Sequence, residues 1–194
     1  MPRIDAPTVA EHHARQRAAL IAAARAALGE GGVAAVTPGA VARAAGLART
    51  SVYQYFPSTD ALVTAAIEGM FADAATQIGQ ALDGHSDPWS RVRAFVSVAL
   101  RAAAGEFGPF HGFSAADLPE TARVRLRELR EELAAPLVES VTQLGVADPQ
   151  RATAVVAGAV GAGIGLIRGG SPTAATTDLV CGFVTGGLQE LAAP

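Results

Sequence analysis

Apolar residues recur along most of this chain at the three- and four-residue spacing of helices that bury one face. Two stripes in the C-terminal part show the pattern well. One runs through Trp89, Val92, Val96, Ala99 and Ala103, and the other through Leu126, Leu129, Leu133, Leu137, Val141 and Leu144. No alternation of apolar and polar residues bounded by turn signals predicts a strand. The pattern predicts an all-α chain of about nine helices.

Several of these helices have a recognisable start, in which a capping residue is followed directly by proline. The cap's side-chain oxygen accepts hydrogen bonds from free backbone N–H groups, and proline fits the first helical position because its missing N–H is not needed there. The four pairs are Thr37-Pro38, Asp87-Pro88, Asp148-Pro149 and Ser171-Pro172. Ser58 is predicted to cap a further helix that runs to about Leu82, and Pro136 is expected to kink the helix of the second stripe.

The segment from residue 37 to 62 has the layout of a helix-turn-helix, with two short helices separated by a break at Gly46. In such a unit the second helix lies in the major groove of DNA. Arginine can donate two hydrogen bonds to guanine, glutamine can pair with adenine, and hydroxyl groups can contact bases or phosphates. The residues of the second helix that suit this task are Arg49, Thr50, Ser51 and Gln54.

Together with residues 17 to 32, this stretch resembles the DNA-binding domain of TetR-family (tetracycline-repressor-like) transcriptional regulators. The pattern of the family's first helix is matched by Arg17, Leu20-Ile21, Ala23-Ala24, Ala27-Leu28 and Gly32. The helix-turn-helix is matched in register and without gaps by Thr37, Val41-Ala42, Ala45-Gly46-Leu47, Tyr53, Tyr55-Phe56 and Leu62. The resemblance covers residues 15 to 65.

The resemblance implies a dimeric repressor that leaves a palindromic DNA operator when a small-molecule effector binds. It also implies that Thr37, Tyr53 and Tyr55 contact phosphates. Two departures bear on DNA affinity: Ala48 stands where a small hydroxyl residue is usual, and Thr59 where a lysine usually contacts phosphate. Thr59 can donate one hydrogen bond but carries no charge. The alternative is a helical small-molecule-binding protein with weak or lost DNA binding.

The resemblance divides the chain into an N-terminal arm with a helix-turn-helix domain, residues 1–57, and a ligand-binding and dimerisation domain, residues 58–194. The arm includes His12 and His13. Family members place their inducer pocket inside the second domain, where most of its aromatic residues lie. The candidate ligand-binding residues are Phe71, Trp89, Phe95, Phe107, Phe110, His111, Phe113 and Leu129. Such a pocket favours a small, mostly apolar molecule; the alternative is that these are ordinary core side chains.

The last two helices, about 149–168 and 172–191, resemble a dimerisation unit. Each has a broad apolar face, and glycines in the first remove side chains where another helix could approach closely. The candidate interface residues are Val156, Val160, Gly161, Ile164, Phe183, Val184 and Leu188. Two such helices from each subunit could form a four-helix bundle across a two-fold axis, which would match a palindromic operator. The alternative is that they form an intrachain core.

Charge is distributed as a DNA-binding domain requires, although the excess is small. Residues 1–60 hold six arginines and four acids, a net charge of +2, whereas residues 61–194 hold nine arginines and fourteen acids, a net charge of −5. The sum is the −3 of the whole chain, and all 15 basic residues are arginine. DNA binding draws on positive charge that faces phosphate, so the basic part of the chain coincides with the helix-turn-helix.

Other features predict a cytoplasmic protein without catalytic activity. A single cysteine, Cys181, excludes an intrachain disulfide, although a redox sensor working through it stays open. No leader peptide is recognised, and the uncharged run from Ala152 to Ile167 is short of the ~20 residues that span a bilayer. No HExxH, CxxC, GxSxG or P-loop pattern occurs. We therefore expect no enzyme, metal site, cofactor or membrane span.

Overall fold

The computed structural model describes residues 9–104 and 115–192, and the described residues form helices without a strand. Eight α-helices follow one another: α1 (Val9–Ala35), α2 (Pro38–Ala44), α3 (Arg49–Tyr55), α4 (Thr59–Leu82), α5 (Pro88–Ala104), α6 (Glu120–Gln143), α7 (Pro149–Arg168) and α8 (Thr173–Ala192). A short 3-10 helix (Ala115–Asp117) precedes α6. The all-α prediction is confirmed, and about nine helices is close to the eight found in this part of the chain.

Four of the predicted capping residues hold the helix starts as expected. Thr37 Oγ1 accepts a hydrogen bond from the backbone N–H of Ala40 (3.2 Å), and Ser58 Oγ accepts one from Ala61 (3.1 Å). The carboxylates of Asp87 and Asp148 accept from the third residue after each of them, both at 3.0 Å. Since each cap acts within its own helix turn, these starts are readable from sequence.

Two long helices have an irregular feature: α1 contains non-helical residues and α6 contains a proline. In α1 the backbone leaves helical geometry at Gly31 and Gly32, where Gly32 has a φ of 67°. This places a turn between the main part of α1 and the start of α2. In α6 the helix runs through Pro136 to Gln143, so the predicted proline lies inside one continuous helix.

The chain divides into two compact units. The first comprises Met1–Met70 with Pro109–Leu126, and the second comprises Phe71–Gly108 with Arg127–Pro194. Both α4 and α6 therefore contribute residues to each unit. The predicted functional boundary between residues 57 and 58 stays a prediction.

The first unit has a core of aliphatic side chains from α1 to α4. Its largest fully buried members are Leu20, Leu28, Val36, Val41, Val52, Leu62, Val63 and Ile67. The beginning of α6 also belongs to this unit, and Leu118 just before it is buried there together with Ala122 and Leu126 of the helix. Removing such side chains from water supplies most of the free energy that holds short helices in place.

The second unit is built on α5, α7 and α8, which pack against one another. Its buried cluster takes residues from each of them and from α6, among them Val92, Val96, Leu100, Leu137, Val141, Val156, Val180 and Val184. Trp89, Val92, Val96 and Ala99 of the first sequence stripe thus face this core.

Two helices are long and apolar enough to cross a membrane, namely Ala10–Ala35 within α1 and Pro149–Arg168, each with a mean hydropathy of 1.3. By length and composition alone this is weak evidence for a membrane span, because core helices of soluble proteins meet the same criterion. Only 28% of the α7 segment is buried within the chain, so much of an apolar helix faces outward.

Candidate nucleic-acid interface

The turn between α2 and α3 is fixed by backbone hydrogen bonds around Gly46. The N–H of Leu47 donates to the carbonyl of Ala42 (2.8 Å), and that of Gly46 donates to Arg43 (3.2 Å). This pair of bonds is the Schellman ending of a helix, which requires a residue with positive φ. Gly46 has a φ of 70° and meets that requirement without steric cost. The glycine therefore ends α2 and sets where α3 begins.

One side of α3 is anchored in the core of the first unit and the other is exposed. Val52 and Phe56, which follows the helix, are 2% and 3% exposed. The predicted reading residues Arg49, Thr50 and Gln54 are exposed, and Ser51 is half-buried. Tyr53 is 52% exposed. The arrangement supplies polar side chains on a supported helix, as major-groove reading requires. Contact with DNA itself stays a prediction.

Three further predicted residues lie at helix starts. Thr37 is exposed, and its hydroxyl oxygen already caps α2. Thr59 is half-buried and begins α4. Ala48 is the N-cap of α3 and makes no side-chain capping bond. The helix α3, which is predicted to read DNA, therefore starts without the side-chain cap that α2 has.

Tyr55 differs from Tyr53 in its surroundings. It is half-buried, and its hydroxyl donates a hydrogen bond to Oε1 of Gln16 in α1. Its ring lies 4.4 Å from that of His13, centroid to centroid, with the planes inclined at 36°. Beside it, the guanidinium carbon of Arg17 lies 5.2 Å from the centre of the Phe56 ring. The sequence suggested a phosphate contact for Tyr55, but the structure shows a hydroxyl engaged within the domain.

The contacts of His13 and Gln16 with Tyr55 were not predicted from the sequence. The sequence placed His13 in an N-terminal arm, whereas the chain is helical from Val9 onward. Their three-residue spacing puts both on one side of α1, and this was the only sign in the sequence that the two side chains could contact the same partner. The spacing does not identify Tyr55 as that partner, because Tyr55 is 39 residues away from Gln16 in the sequence.

An open groove of about 500 Å³ lies next to these contacts. It is lined by Arg17, Tyr55, Phe56, Pro57, Ser58, Asp60, Ala61, Thr64, Ala65, Glu68 and Thr121. Near it, Arg125 Nε donates to Glu68 Oε1 at 2.9 Å and joins α6 to α4 within the first unit. In the described part of the chain, no three His, Cys, Asp or Glu residues are grouped as a metal site would require.

The predicted ligand-binding residues are only partly accounted for. Phe95 and Leu129 are 8% and 6% exposed, and Trp89 packs against the core of the second unit. Phe71 is half-buried. The remaining candidates, Phe107, Phe110, His111 and Phe113, lie outside the described residues. A ligand contact for the first four stays a prediction, because a core position explains their burial equally well.

Four of the predicted dimer-interface residues lie in the core of their own chain. Val156, Val160, Val184 and Leu188 are 8% exposed or less and belong to the buried cluster of the second unit. Their burial is the alternative of an intrachain core, and a role for them in a subunit interface stays a prediction. The helices α7 and α8 each have two apolar sides, and the intrachain core takes one of them.

The other side of α7 and α8 remains exposed. Of the predicted residues, Gly161 and Phe183 lie there, the latter 68% exposed, and Ile164 is half-buried. We call this surface the outer face and define it by Val155, Gly158, Gly161, Gly165 and Leu166 of α7 with Leu179, Gly182, Phe183 and Gly186 of α8. These residues recur at three- and four-residue intervals.

Cys181 lies on the inner side of α8. It is 6% exposed, and its Sγ is 3.6 Å from Ser97 Oγ. Redox sensing through this thiol would need access for an oxidant, which the packing of the second unit limits.

The helix-turn-helix matches a known family in sequence. Residues 20–66 match the model of the bacterial regulatory proteins of the tetR family. No match was found among curated proteins. The matched segment contains the second half of α1, all of α2 and α3, and the start of α4.

Solved structures show the same fold over most of the chain. A TetR-family transcriptional regulator from Streptomyces coelicolor superposes with a TM-score of 0.78 at 15% identity, over 97% of this chain and 98% of that one. The fatty acid degradation regulator FadR from Bacillus halodurans gives 0.77 at 16% identity, over 89% and 96%. FadR from Bacillus subtilis, in complex with stearoyl-CoA, gives 0.76 at 14% identity, over 86% and 96%.

At these identities the structural likeness concerns the fold, and the sequence match concerns the helix-turn-helix. The two agree on one group of proteins: residues 20–66 match the tetR family of bacterial regulatory proteins in sequence, and the chain has the fold of a TetR-family transcriptional regulator.

Proposed function

We propose that this protein is a cytoplasmic, non-enzymatic repressor that binds a palindromic operator as a homodimer and leaves it when a small, mostly apolar molecule binds. The observation that carries the proposal is the two-sided α3. Val52 fixes the helix in the core, while Arg49, Thr50, Tyr53 and Gln54 stay exposed. Arginine and glutamine read guanine and adenine edges, and hydroxyl groups add phosphate contacts that position the helix.

Phosphate contacts would come from the edges of the same domain. Tyr53 and Thr37 are exposed, and Thr59 begins α4 beside the groove. Tyr55 takes less part in contacting phosphate, because its hydroxyl group already donates a hydrogen bond to Gln16. Without a lysine at position 59, the domain depends on arginines for charge, so we expect modest non-specific affinity.

The outer face of α7 and α8 supports a homodimer. Val155, Leu179 and Phe183 are each more than 60% exposed on it. Large exposed apolar residues grouped on one surface are typical of interaction sites. Glycine inside a helix costs about 1 kcal/mol relative to alanine. The exposed Gly158, Gly161 and Gly165 are explained if another helix approaches closely there. A two-fold axis through this face would pair two identical surfaces.

The effector is proposed to bind in the second unit, where Trp89 and Phe95 line or adjoin an apolar core. The likeness to a FadR structure that contains stearoyl-CoA supports testing fatty-acyl compounds first. The helix α4 carries residues of both units, so a shift of α4 on ligand binding would change the spacing of the two reading helices. Such coupling requires the ligand to prefer one arrangement over the other.

One observation favours the alternative of a ligand-binding protein with weak or lost DNA binding. The reading helix has no side-chain cap at Ala48. A missing cap typically costs about 1 kcal/mol of helix stability, which would lower the population of an ordered α3.

The deciding experiment selects binding sites from a random duplex pool with the purified protein at two salt concentrations. We expect an inverted repeat to be enriched and its affinity to fall as salt rises. Arg49→Glu should weaken binding to the selected duplex at least about tenfold, since it replaces a guanine contact worth ~1–3 kcal/mol with a charge that repels phosphate.

Arg101→Glu makes the same charge change at an exposed position of α5 and serves as the matched control. It should bind as the unmodified protein does. Failure to enrich any motif at low salt, with and without fatty-acyl compounds, would contradict the proposal and favour the alternative.

A further inference from the structure

Three contacts join one end of the reading helix to the first turns of α1. They are the hydrogen bond from the Tyr55 hydroxyl to Gln16, the stacked rings of Tyr55 and His13, and the Arg17 guanidinium over Phe56. All the α1 residues lie between positions 13 and 17, before the segment that matches the family model. We call these contacts the α1 brace.

The brace acts where α3 needs support. The N-terminal end of α3 has no side-chain cap, and the helix has only seven residues. A helix of this length is unstable by itself and takes its order from packing. Val52 provides one buried anchor near its middle. The contacts at Tyr55 and Phe56 add a second anchor, which restricts rotation of the helix about the first.

We infer that Tyr55 and Gln16 are positioning residues that orient the reading helix, and that Tyr55 acts through Gln16 and not through DNA. The inference deepens the proposed function and rests on it. The polar and aromatic contacts have partners within the first unit, and each is directional. Together they fix the orientation of the adjacent Gln54 and of Arg49, which lies almost two turns away on the same short helix. Base reading tolerates little misplacement of such side chains, because bidentate contacts require both atoms in line.

Tyr53 supplies the comparison that tests this inference. It lies two residues before Tyr55 on the same helix, but its ring is exposed. Tyr53→Phe and Tyr55→Phe each remove one hydroxyl oxygen and leave the ring in place. Gln16→Met keeps the side-chain length of glutamine and removes the acceptor.

The experiment is a pair of double-mutant cycles measured as affinity for the duplex selected with the unmodified protein. Tyr55→Phe should weaken binding about fivefold, the net effect of one hydrogen bond, but should have no further effect in the Gln16→Met background. Tyr53→Phe should have the same effect with either residue at position 16. The loss from Tyr55→Phe should be smaller on a non-specific duplex, because misorientation impairs base reading more than phosphate contacts.

Amide hydrogen exchange without DNA gives a second readout that does not depend on the operator. Residues 49–56 should exchange faster in Tyr55→Phe and in Gln16→Met, and the double variant should match either single one. Tyr53→Phe should leave these rates unchanged. If no duplex is selected, the proposed function fails while this measurement still tests the brace.

An equal loss from Tyr55→Phe in both backgrounds would overturn the inference and assign Tyr55 to direct contact with DNA. Unchanged exchange of residues 49–56 in all variants would overturn it as well, because the brace would then not order the helix.

Discussion

Gly161 and Gly163 lie two positions apart in α7 and have opposite environments. A Cβ at Gly163 would come within 2.8 Å of Leu100 Cδ2 and of Val180 Cγ2. Both neighbours are buried, and the branched Val180 side chain cannot rotate freely. At Gly161, the same position has no described atom within 4 Å apart from its two chain neighbours and the backbone of its own helix. At the residue scale, Gly163 allows close packing in the intrachain core, whereas Gly161 leaves a part of the outer face without a side chain.

Replacing each glycine with alanine should therefore have opposite effects on the monomer. Gly163→Ala is expected to lower the free energy of unfolding by about 1–3 kcal/mol, because overpacking outweighs the gain in helix propensity. Gly161→Ala should raise it by up to about 1 kcal/mol under conditions that keep the protein monomeric. Urea denaturation followed by circular dichroism measures both, and equal changes would contradict the described packing.

The N-cap of α3 gives a second prediction at this scale. Ala48 has the extended backbone of a capping residue, with φ −72° and ψ 146°, but lacks a side-chain acceptor. Ala48→Ser should stabilise the first unit by about 0.5–2 kcal/mol and slow amide exchange at the start of α3. Thr37→Ala, which removes the existing cap of α2, is the matched reverse change and should destabilise by a similar amount. A serine that leaves both quantities unchanged would show that α3 is already fully ordered.

At the scale of elements, short polar signals decide where helices begin and packing decides how they are held. The α5 helix begins at an exposed cap, Asp87, whose carboxylate accepts from the backbone of Ser90. The Ser90 hydroxyl, and then its N–H, lower the pKa of this carboxyl below its ordinary value of 3.8. Because folding favours the ionised form, Asp87 stabilises the folded protein above that value, and the contribution disappears as pH falls through the lower folded-state pKa.

The direction of this pH dependence can be tested with Asp87→Asn, which keeps a capping oxygen but does not titrate. The unmodified protein should be the more stable of the two near neutral pH, and the difference should vanish as the solution is acidified below about pH 4. Thermal unfolding of both proteins across pH 2–7 measures the difference. A difference that grows on acidification would mean that the pKa of Asp87 is raised by folding.

At the scale of the whole molecule, the two apolar sides of α7 and α8 have different roles, one in the intrachain core and one on the surface. Their inner side, with Val156, Val180 and Val184, completes the core of the second unit. Their outer face remains exposed, and a second copy of the chain would bury it. The same two helices would thus stabilise the monomer and set the distance between two reading helices.

Phe183→Asp tests this division of tasks. A charge at this 68% exposed position should not unfold the monomer, but it should shift a micromolar solution from dimer to monomer in sedimentation equilibrium. Operator affinity should fall with it, because each monomer reads only one half-site. Val124→Asp is the control, since Val124 is an exposed valine of α6 in the first unit. A dimer that persists in Phe183→Asp would exclude the outer face as the interface.

Several features were predictable because they depend on neighbours in the chain. The caps at Thr37, Asp87 and Asp148 act within one helix turn, and the break at Gly46 follows from the positive φ that only glycine adopts without strain. The three- and four-residue apolar spacing reports helix without any knowledge of the partner. The reading residues of α3 followed from the position of that helix in the motif.

Other features depend on contacts between segments far apart in sequence, and only the tertiary structure decided them. Val155 and Val156 are adjacent residues of the same type, yet the packing of α5 against α7 buries Val156 and leaves Val155 exposed. Tyr53 and Tyr55 are equally suited to phosphate, yet the position of Gln16 in α1 engages only Tyr55. Sequence determined the helices and their polarity, whereas folding determined which of two apolar sides, and which of two tyrosines, remained free to meet a partner.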